Sequence, residues 1–222
     1  MSLLDAVSPE VSRGGLVLVP VGSVEQHGPH LPLDTDTVIA TAVAEELAPL
    51  LGGVVAPAVG YGASGEHQSY AGTISIGTTA LTTTLVEIGR SLGTWAGRLV
   101  FVNGHGGNVF ALRDAVAVLR GEGRDVDWVP CAVQDGDAHA GRTETSLLLH
   151  LAPGRVRRGY VAPGNTAPLL DLMPTLMAHG VEAVSPNGVL GDPADATAEE
   201  GRRLLQEMVA YAYGRSRVSV RR

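Results

Sequence analysis

The sequence predicts an α/β fold on a mostly parallel sheet, and three observations carry that expectation. Short apolar runs alternate with longer stretches of helical periodicity, the pattern of strand–helix–strand units whose strands run parallel. The runs are rich in branched residues and lack clean apolar–polar alternation, as expected of strands covered on both faces. Three clusters rich in histidine and carboxylate each begin where a run ends, and ligands of open α/β sheets bind outside the carboxyl ends of the strands.

The first strand is read at 16–22 (LVLVPVG), followed by an amphipathic helix over 36–51. The second strand, 54–59 (VVAPAV), precedes a helix over 80–97. The third, 99–104 (LVFVNG), leads into a helix over 107–121, and the fourth, 126–133 (VDWVPCAV), into one over 142–151. Residues 152–193 are richer in Pro, Gly and Asn, so an irregular segment is expected there, with one short helix around 168–179. A last helix is read over 196–213. The sequence holds no internal repeat and no low-complexity tract.

Length and composition bound the function. A chain of 222 residues with 45% hydrophobic content supports one sizeable core, and a single domain over 1–222 is expected. With only 18% charged residues, no long disordered stretch is expected. The net charge of -7 repels phosphate backbones and makes nucleic acid a poor partner. Arg215, Arg217, Arg221 and Arg222 form a short basic tail, read as a solvated end. Cys131 is the only cysteine, so neither an intrachain disulfide nor a thiolate metal cluster can form, and a reduced, cytoplasmic compartment fits. The N-terminal MSLLDAVSPE lacks the features of a signal peptide. No apolar run approaches the ~18 residues of a membrane span.

The three clusters are GSVEQHGPHLPLDTD (22–36), NGHGGN (103–108) and QDGDAHAGRTETS (134–146). Glu25 and His27 are two apart, so an extended loop projects both to one side. A carboxylate and an imidazole on one side suit Zn²⁺, Mn²⁺ or Fe²⁺, although an ordinary polar loop also explains the pair. Asp34 is a candidate N-cap for the helix that follows. Asp36, fixed at a helix start, is suited to bridge two cations, which lie about 3.5–4 Å apart in two-metal sites. Glycines flank His105 and leave its imidazole unobstructed. The same Gly-rich turn suits an anion, but its spacing matches no nucleotide-binding fingerprint. Glu144, near a helix start, is read either as a complement to the helix dipole or as a further metal carboxylate, with His139 an acid or base beside it. No serine carries the strand–turn–helix elbow of a nucleophile, and Ser146 is read as a helix cap.

These motifs, with YGASGEHQSYAGTISIGT (61–78), together resemble the creatininase family of metal-dependent amidohydrolases, in the family's order and spacing from about residue 16 to about 152. The resemblance implies a three-layer α/β/α fold and a site for two divalent metal ions per subunit. Carried over residue by residue, it makes Glu25, His27, Asp36, His105 and Glu144 the ligand set. Asp36 would bridge, Glu25 and His105 would hold one ion, and His27 and Glu144 the other. Fe²⁺ or Zn²⁺ is expected, with Mn²⁺ also accepted. His139 matches the family's acid/base histidine. Glu66 and His67 lie in a family motif and are expected to bind substrate near the site, or else to pack against a neighbouring subunit. Family members commonly form rings of dimers, so a homo-oligomer is expected.

Within the family the likeness is strongest to a peptidase of a ribosomally made precursor peptide, and it extends into GVLGDPADATAEEGRR (188–203). The implied reaction hydrolyses an amide bond and releases a modified C-terminal Val-Tyr-derived pair. A small cyclic amide or formamide hydrolase is the alternative within the family, and a phosphate-binding module using NGHGGN the alternative outside it. Two departures bear on these readings. Creatininase carries an acidic residue where this chain has Gly107, so one metal position is expected to hold its ion more weakly. It also uses tryptophans close to its site, whereas Trp95 and Trp128 fall in a predicted helix and strand and Asp135 stands where one tryptophan would be. Creatinine is therefore expected to be a poor substrate.

Overall fold

A computed structural model of the protein describes residues 2–218. Arg221 and Arg222 of the basic tail lie outside the described residues. Four strands form one parallel sheet: β1 (Leu16–Val21), β2 (Gly53–Val55), β3 (Arg98–Asn103) and β4 (Val126–Pro130), in the order β2-β1-β3-β4. Among the described residues, six α-helices surround it: α1 (Thr35–Leu51), α2 (Gly77–Leu92), α3 (Val109–Gly121), α4 (Arg142–Leu151), α5 (Leu169–His179) and α6 (Ala198–Val218).

Alternate residues of each strand feed two separate cores. Leu18, Val100, Val102 and Val129 pack under α1, α4 and α6. Val17, Val19, Val21, Leu99, Phe101 and Val126 pack under α2 and α3. Both faces are covered, which is why the strand sequences read as continuous apolar runs. The result is a three-layer α/β/α sandwich: the parallel sheet follows the sequence pattern, and the three layers are those that the family resemblance implies.

Two strands are shorter than predicted, because prolines interrupt them. β2 ends at Val55, and Val59 rejoins β1 only through an isolated bridge to Val21. Pro57 lies between and has no N–H to donate to a ladder. β4 stops at Pro130 for the same reason. The helix predicted over 80–97 runs from Gly77 to Leu92 and ends at Gly93. The chain leaves β1 toward β2 on one side and β3 toward β4 on the other. The loops after β1 and β3 therefore border the crevice at the switch of strand order, where such sheets bind ligands. Among the described residues, no helix is long and apolar enough to cross a membrane.

Candidate metal centre

The segment after β1 folds back on itself at the mouth of that crevice. Glu25 N–H donates to Leu33 O at 3.0 Å, and Val24 bridges Ile74 of the β2–α2 loop. The turn fixes Glu25 and His27 with their side chains fully buried. Asp36 sits in the first turn of α1 and is also buried. Asp34 occupies the N-cap position but caps nothing with its side chain, which pairs with the exposed Arg155 instead. The loop after β3 delivers His105. The loop after β4 delivers His139 and Glu144, helped by Ala140, whose φ of 52° is left-handed. Non-glycine residues pay about 1–3 kcal/mol for that conformation, and here it turns the chain so that Ala140 N–H donates to Glu144 Oε2 at 2.6 Å. Ser146 is not a cap: it lies one turn into α4, its hydroxyl donating to Glu200 and accepting from Thr197 N–H, which ties α4 to the start of α6.

The three loops meet. His27 Nε2 lies 3.1 Å from Asp36 Oδ1 and 3.7 Å from Glu144 Oε2. His105 Nδ1 lies 3.2 Å from Glu25 Oε2 and 3.4 Å from Asp36 Oδ2. Asp36 thus turns one oxygen to each histidine. Two groups of donors follow, Glu25–Asp36–His105 and His27–Asp36–Glu144, each with its ligand atoms within 4.8 Å of one another. A third group, Glu25–His27–His139, is equally tight. The His139 ring lies between those of His27 and His67, 4.3 Å and 4.4 Å from their centroids.

These residues fit a pair of divalent cations. Buried carboxylates cost several kcal/mol each unless a positive partner offsets them. The chain contains no lysine, and among the described residues no arginine pairs with Glu25, Asp36 or Glu144. Glu25 Oε1 is buried without a hydrogen-bond partner. The Ser23 hydroxyl reaches Glu25 Oε2 at 2.7 Å and Asp36 Oδ2 at 2.6 Å, yet it has one proton to donate. Mixed nitrogen and oxygen donors of this kind accept Zn²⁺, Fe²⁺ and Mn²⁺.

The local potential points the same way. Burial works against a charged His27, but Asp36, Glu144 and Glu25 outweigh it and raise its pKa to about 10. His105 is likewise raised, against its burial, by Glu25, Glu66 and Asp36. Burial, with Asp36 and Glu25 nearby, pushes Glu144 up to about 7 although His27 opposes it. Such shifts mark a strongly negative cavity. His139 behaves oppositely: burial, then His27 and His67, push it well below the usual imidazole range.

A fourth loop joins the site. Glu66 and His67, between β2 and α2, stand beside the cluster: His67 Nε2 is 3.3 Å from Glu25 Oε1, and Glu66 Oε1 is 3.2 Å from His105 Nε2. The space at Gly107 is not open. A Cβ there would lie 2.3 Å from Ala63 O and 2.7 Å from Glu66 Oε1. Glu66 therefore fills the space beside Gly107 with a carboxylate. Trp95 and Trp128 pack in the core under α2 and α3, away from the site. Sequence reasoning missed Ser23, Gln26 and His30, all buried. Their signal was adjacency alone: each lies within three residues of Glu25 or His27.

An α/β/α sandwich with paired nitrogen–oxygen donor clusters at its switch point defines a candidate dinuclear metallohydrolase. The family model described as creatinine amidohydrolase matches residues 5–213, and the chain belongs to the creatininase family. It is 62% identical over 200 residues to the mycofactocin precursor peptide peptidase of Mycolicibacterium smegmatis, covering 87% of this chain and 81% of that one. The protein of the same name from Mycobacterium tuberculosis strain H37Rv is 57% identical over 218 residues, covering 94% and 84%. A solved creatininase variant of Zn-Zn type superposes with a TM-score of 0.82 at 27% identity, covering 100% of this chain and 98% of that one.

Proposed function

We propose that this chain is a metal-dependent peptidase that hydrolyses an amide bond in the mycofactocin precursor peptide and releases its modified C-terminal Val-Tyr-derived pair. In this reading Glu25, Asp36 and His105 hold one divalent ion, and His27, Asp36 and Glu144 the other. The observation that carries it is the sharing of Asp36 between two donor groups; Asp36, His105 and Glu144 line a cavity of about 240 Å³, and His105 and His139 also line a second cavity of about 860 Å³. Fe²⁺ or Zn²⁺ is the expected occupant, with Mn²⁺ accepted.

A divalent pair bound there supplies Lewis acidity, polarising a scissile carbonyl and bringing the pKa of water toward ~7. The chain's residues do the rest. Neutral, buried His139 takes up the proton of the attacking water and hands it to the leaving amine, a transfer typically worth about 10²–10⁴-fold. The larger cavity runs from His105 and His139 to Phe110, Met173 and Met177. That apolar length suits a peptide side chain better than a small cyclic amide.

The remaining inferences concern the setting. α5 buries none of its residues although its sequence, LLDLMPTLMAH, is mostly apolar, which supports a homo-oligomer. One cysteine and no membrane-crossing helix among the described residues agree with a cytoplasmic location. The test is cleavage of the modified precursor peptide by metal-depleted protein with each ion restored in turn. Release of the C-terminal pair with at least one ion is expected. Turnover of a lactam or formamide without peptide cleavage would transfer the assignment to the alternative within the family.

A further inference from the structure

We propose that Gln26 is a positioning residue that fixes where the protons sit on two histidines of the centre, through its backbone carbonyl at His139 and its carboxamide at His67. It leaves His139 with its Nδ1 lone pair available toward Glu25, and it makes His67 a neutral ring that carries its proton on Nε2.

The orientation of the amide comes first. Gly28 N–H donates to Gln26 Oε1 at 2.8 Å, and Gln26 Nε2 donates to Gly188 O at 3.1 Å. Exchanging O and N would set two donors against each other at one end and two acceptors at the other, so two backbone partners fix the amide. The backbone at Gly188 approaches so closely that a Cβ there would lie 1.9 Å from Gln26 Oε1, and its φ of 78° also favours glycine.

The protons follow by elimination. His139 Nε2 lies 2.8 Å from the backbone carbonyl of Gln26. A carbonyl only accepts, so His139 Nε2 carries a proton and donates it there. Gln26 Nε2, 3.1 Å from that same nitrogen, therefore has no acceptor in it. One amide proton goes to Gly188 O, and the second goes to the remaining neighbour, His67 Nδ1, at 2.9 Å. His67 Nδ1 is then an acceptor without a proton. A ring with one bare nitrogen is neutral, and its proton is on Nε2, which faces Glu25 Oε1 at 3.3 Å. His139 is the complement: with Nε2 occupied, its Nδ1, 3.7 Å from Glu25 Oε1, is the atom that accepts and returns a proton.

The catalytic consequence rests on the proposed peptidase reading; the proton placement does not. Long-range ¹H–¹⁵N correlation spectra of histidine-labelled protein, metal-free and zinc-loaded, read the tautomers directly, with His67→Gln and His139→Gln assigning the signals. The wild type should show His67 as the neutral Nε2–H tautomer and a proton on His139 Nε2. Gln26→Glu replaces the donor by an acceptor, so His67 should move its proton to Nδ1. Peptide turnover should fall at least about tenfold in kcat with little change in KM, since the new carboxylate stands beside His139 and a positioned acid–base group is typically worth about 10²–10⁴-fold. A wild-type His67 protonated on Nδ1, or a His67 tautomer unchanged in Gln26→Glu, overturns the proposal, and the wild-type spectrum decides even if that variant does not fold. Spectra as expected from a protein that cleaves no peptide would sink the peptidase reading and leave this one standing.

Discussion

Glu66 Oε1 lies 3.2 Å from His105 Nε2, while the other ring nitrogen of His105 faces Glu25 and Asp36. The contact misses ideal hydrogen-bond geometry, and Nε2 has no other partner. A carboxylate behind a metal-facing imidazole fixes its tautomer and raises its basicity. Glu66 comes from the β2–α2 loop, and it fills the space beside Gly107.

Removing that carboxylate should therefore weaken one ion more than the other. Glu66→Ala is expected to lower affinity at the Glu25–Asp36–His105 position by about 10–100-fold, with Glu66→Gln in between. Chelator competition followed by elemental analysis reads both positions. Equal loss from both, or none, would argue against a role at His105.

Asp36 faces both His27 and His105, whereas Glu144 approaches only His27 of the two. Asp36→Ala should consequently lose both ions, and Glu144→Ala should keep one. Peptide turnover should drop by more than about 100-fold in each, because a lost direct ligand costs at least as much as a lost outer partner. Retention of two ions by Asp36→Ala would exclude it as the bridge.

Much of this arrangement was legible in the sequence. The strand order was not, but the alternation of apolar runs and helices was enough to put the 22–36, 103–108 and 134–146 loops on one edge. Glu25, His27, Asp36, His105, His139 and Glu144 all come together there. The contributions of Ser23 and Gln26 were hidden, because they depend on which atoms face which after the loop has folded back. The same holds for Glu66 at Gly107: proximity across 41 residues leaves no local pattern. Strand lengths were overestimated for β2 and β4, which stop near Pro57 and at Pro130, whereas β1 carries Pro20 within its ladder.

Gly107 allows a test in the opposite direction. Restoring the acid of creatininase with Gly107→Glu should not strengthen metal binding, because its Cβ would collide with Ala63 O and crowd His105 Nε2. Overpacking of this kind costs about 1–3 kcal/mol, which for a chain of this size lowers Tm by roughly 2–4 °C per kcal/mol. Calorimetry and metal titration on the same sample check both halves. A stable variant with a tighter ion would mean that the loop at Ala63 yields easily.

His30 should make stability fall in mild acid. It is fully buried, its Nε2 pairs with Thr145 Oγ1 at 2.8 Å, and its Nδ1 has no partner. Burial, reinforced by His27, lowers its pKa from 6.5 to about 4. The unfolded chain therefore binds this proton between about pH 6.5 and pH 4 while the folded chain does not, and stability must drop as pH falls through that window. The full effect is about 3 kcal/mol, present above pH 6.5 and lost by pH 4. Replacing His30 by Gln keeps a polar partner for Thr145 and removes the titration. The variant should be less stable at pH 7, since the pocket is shaped for a ring, but its stability should change less between pH 6.5 and pH 4. Urea unfolding at half-unit pH steps measures the two slopes. Parallel curves for the two proteins would show that His30 takes up its proton equally in both states.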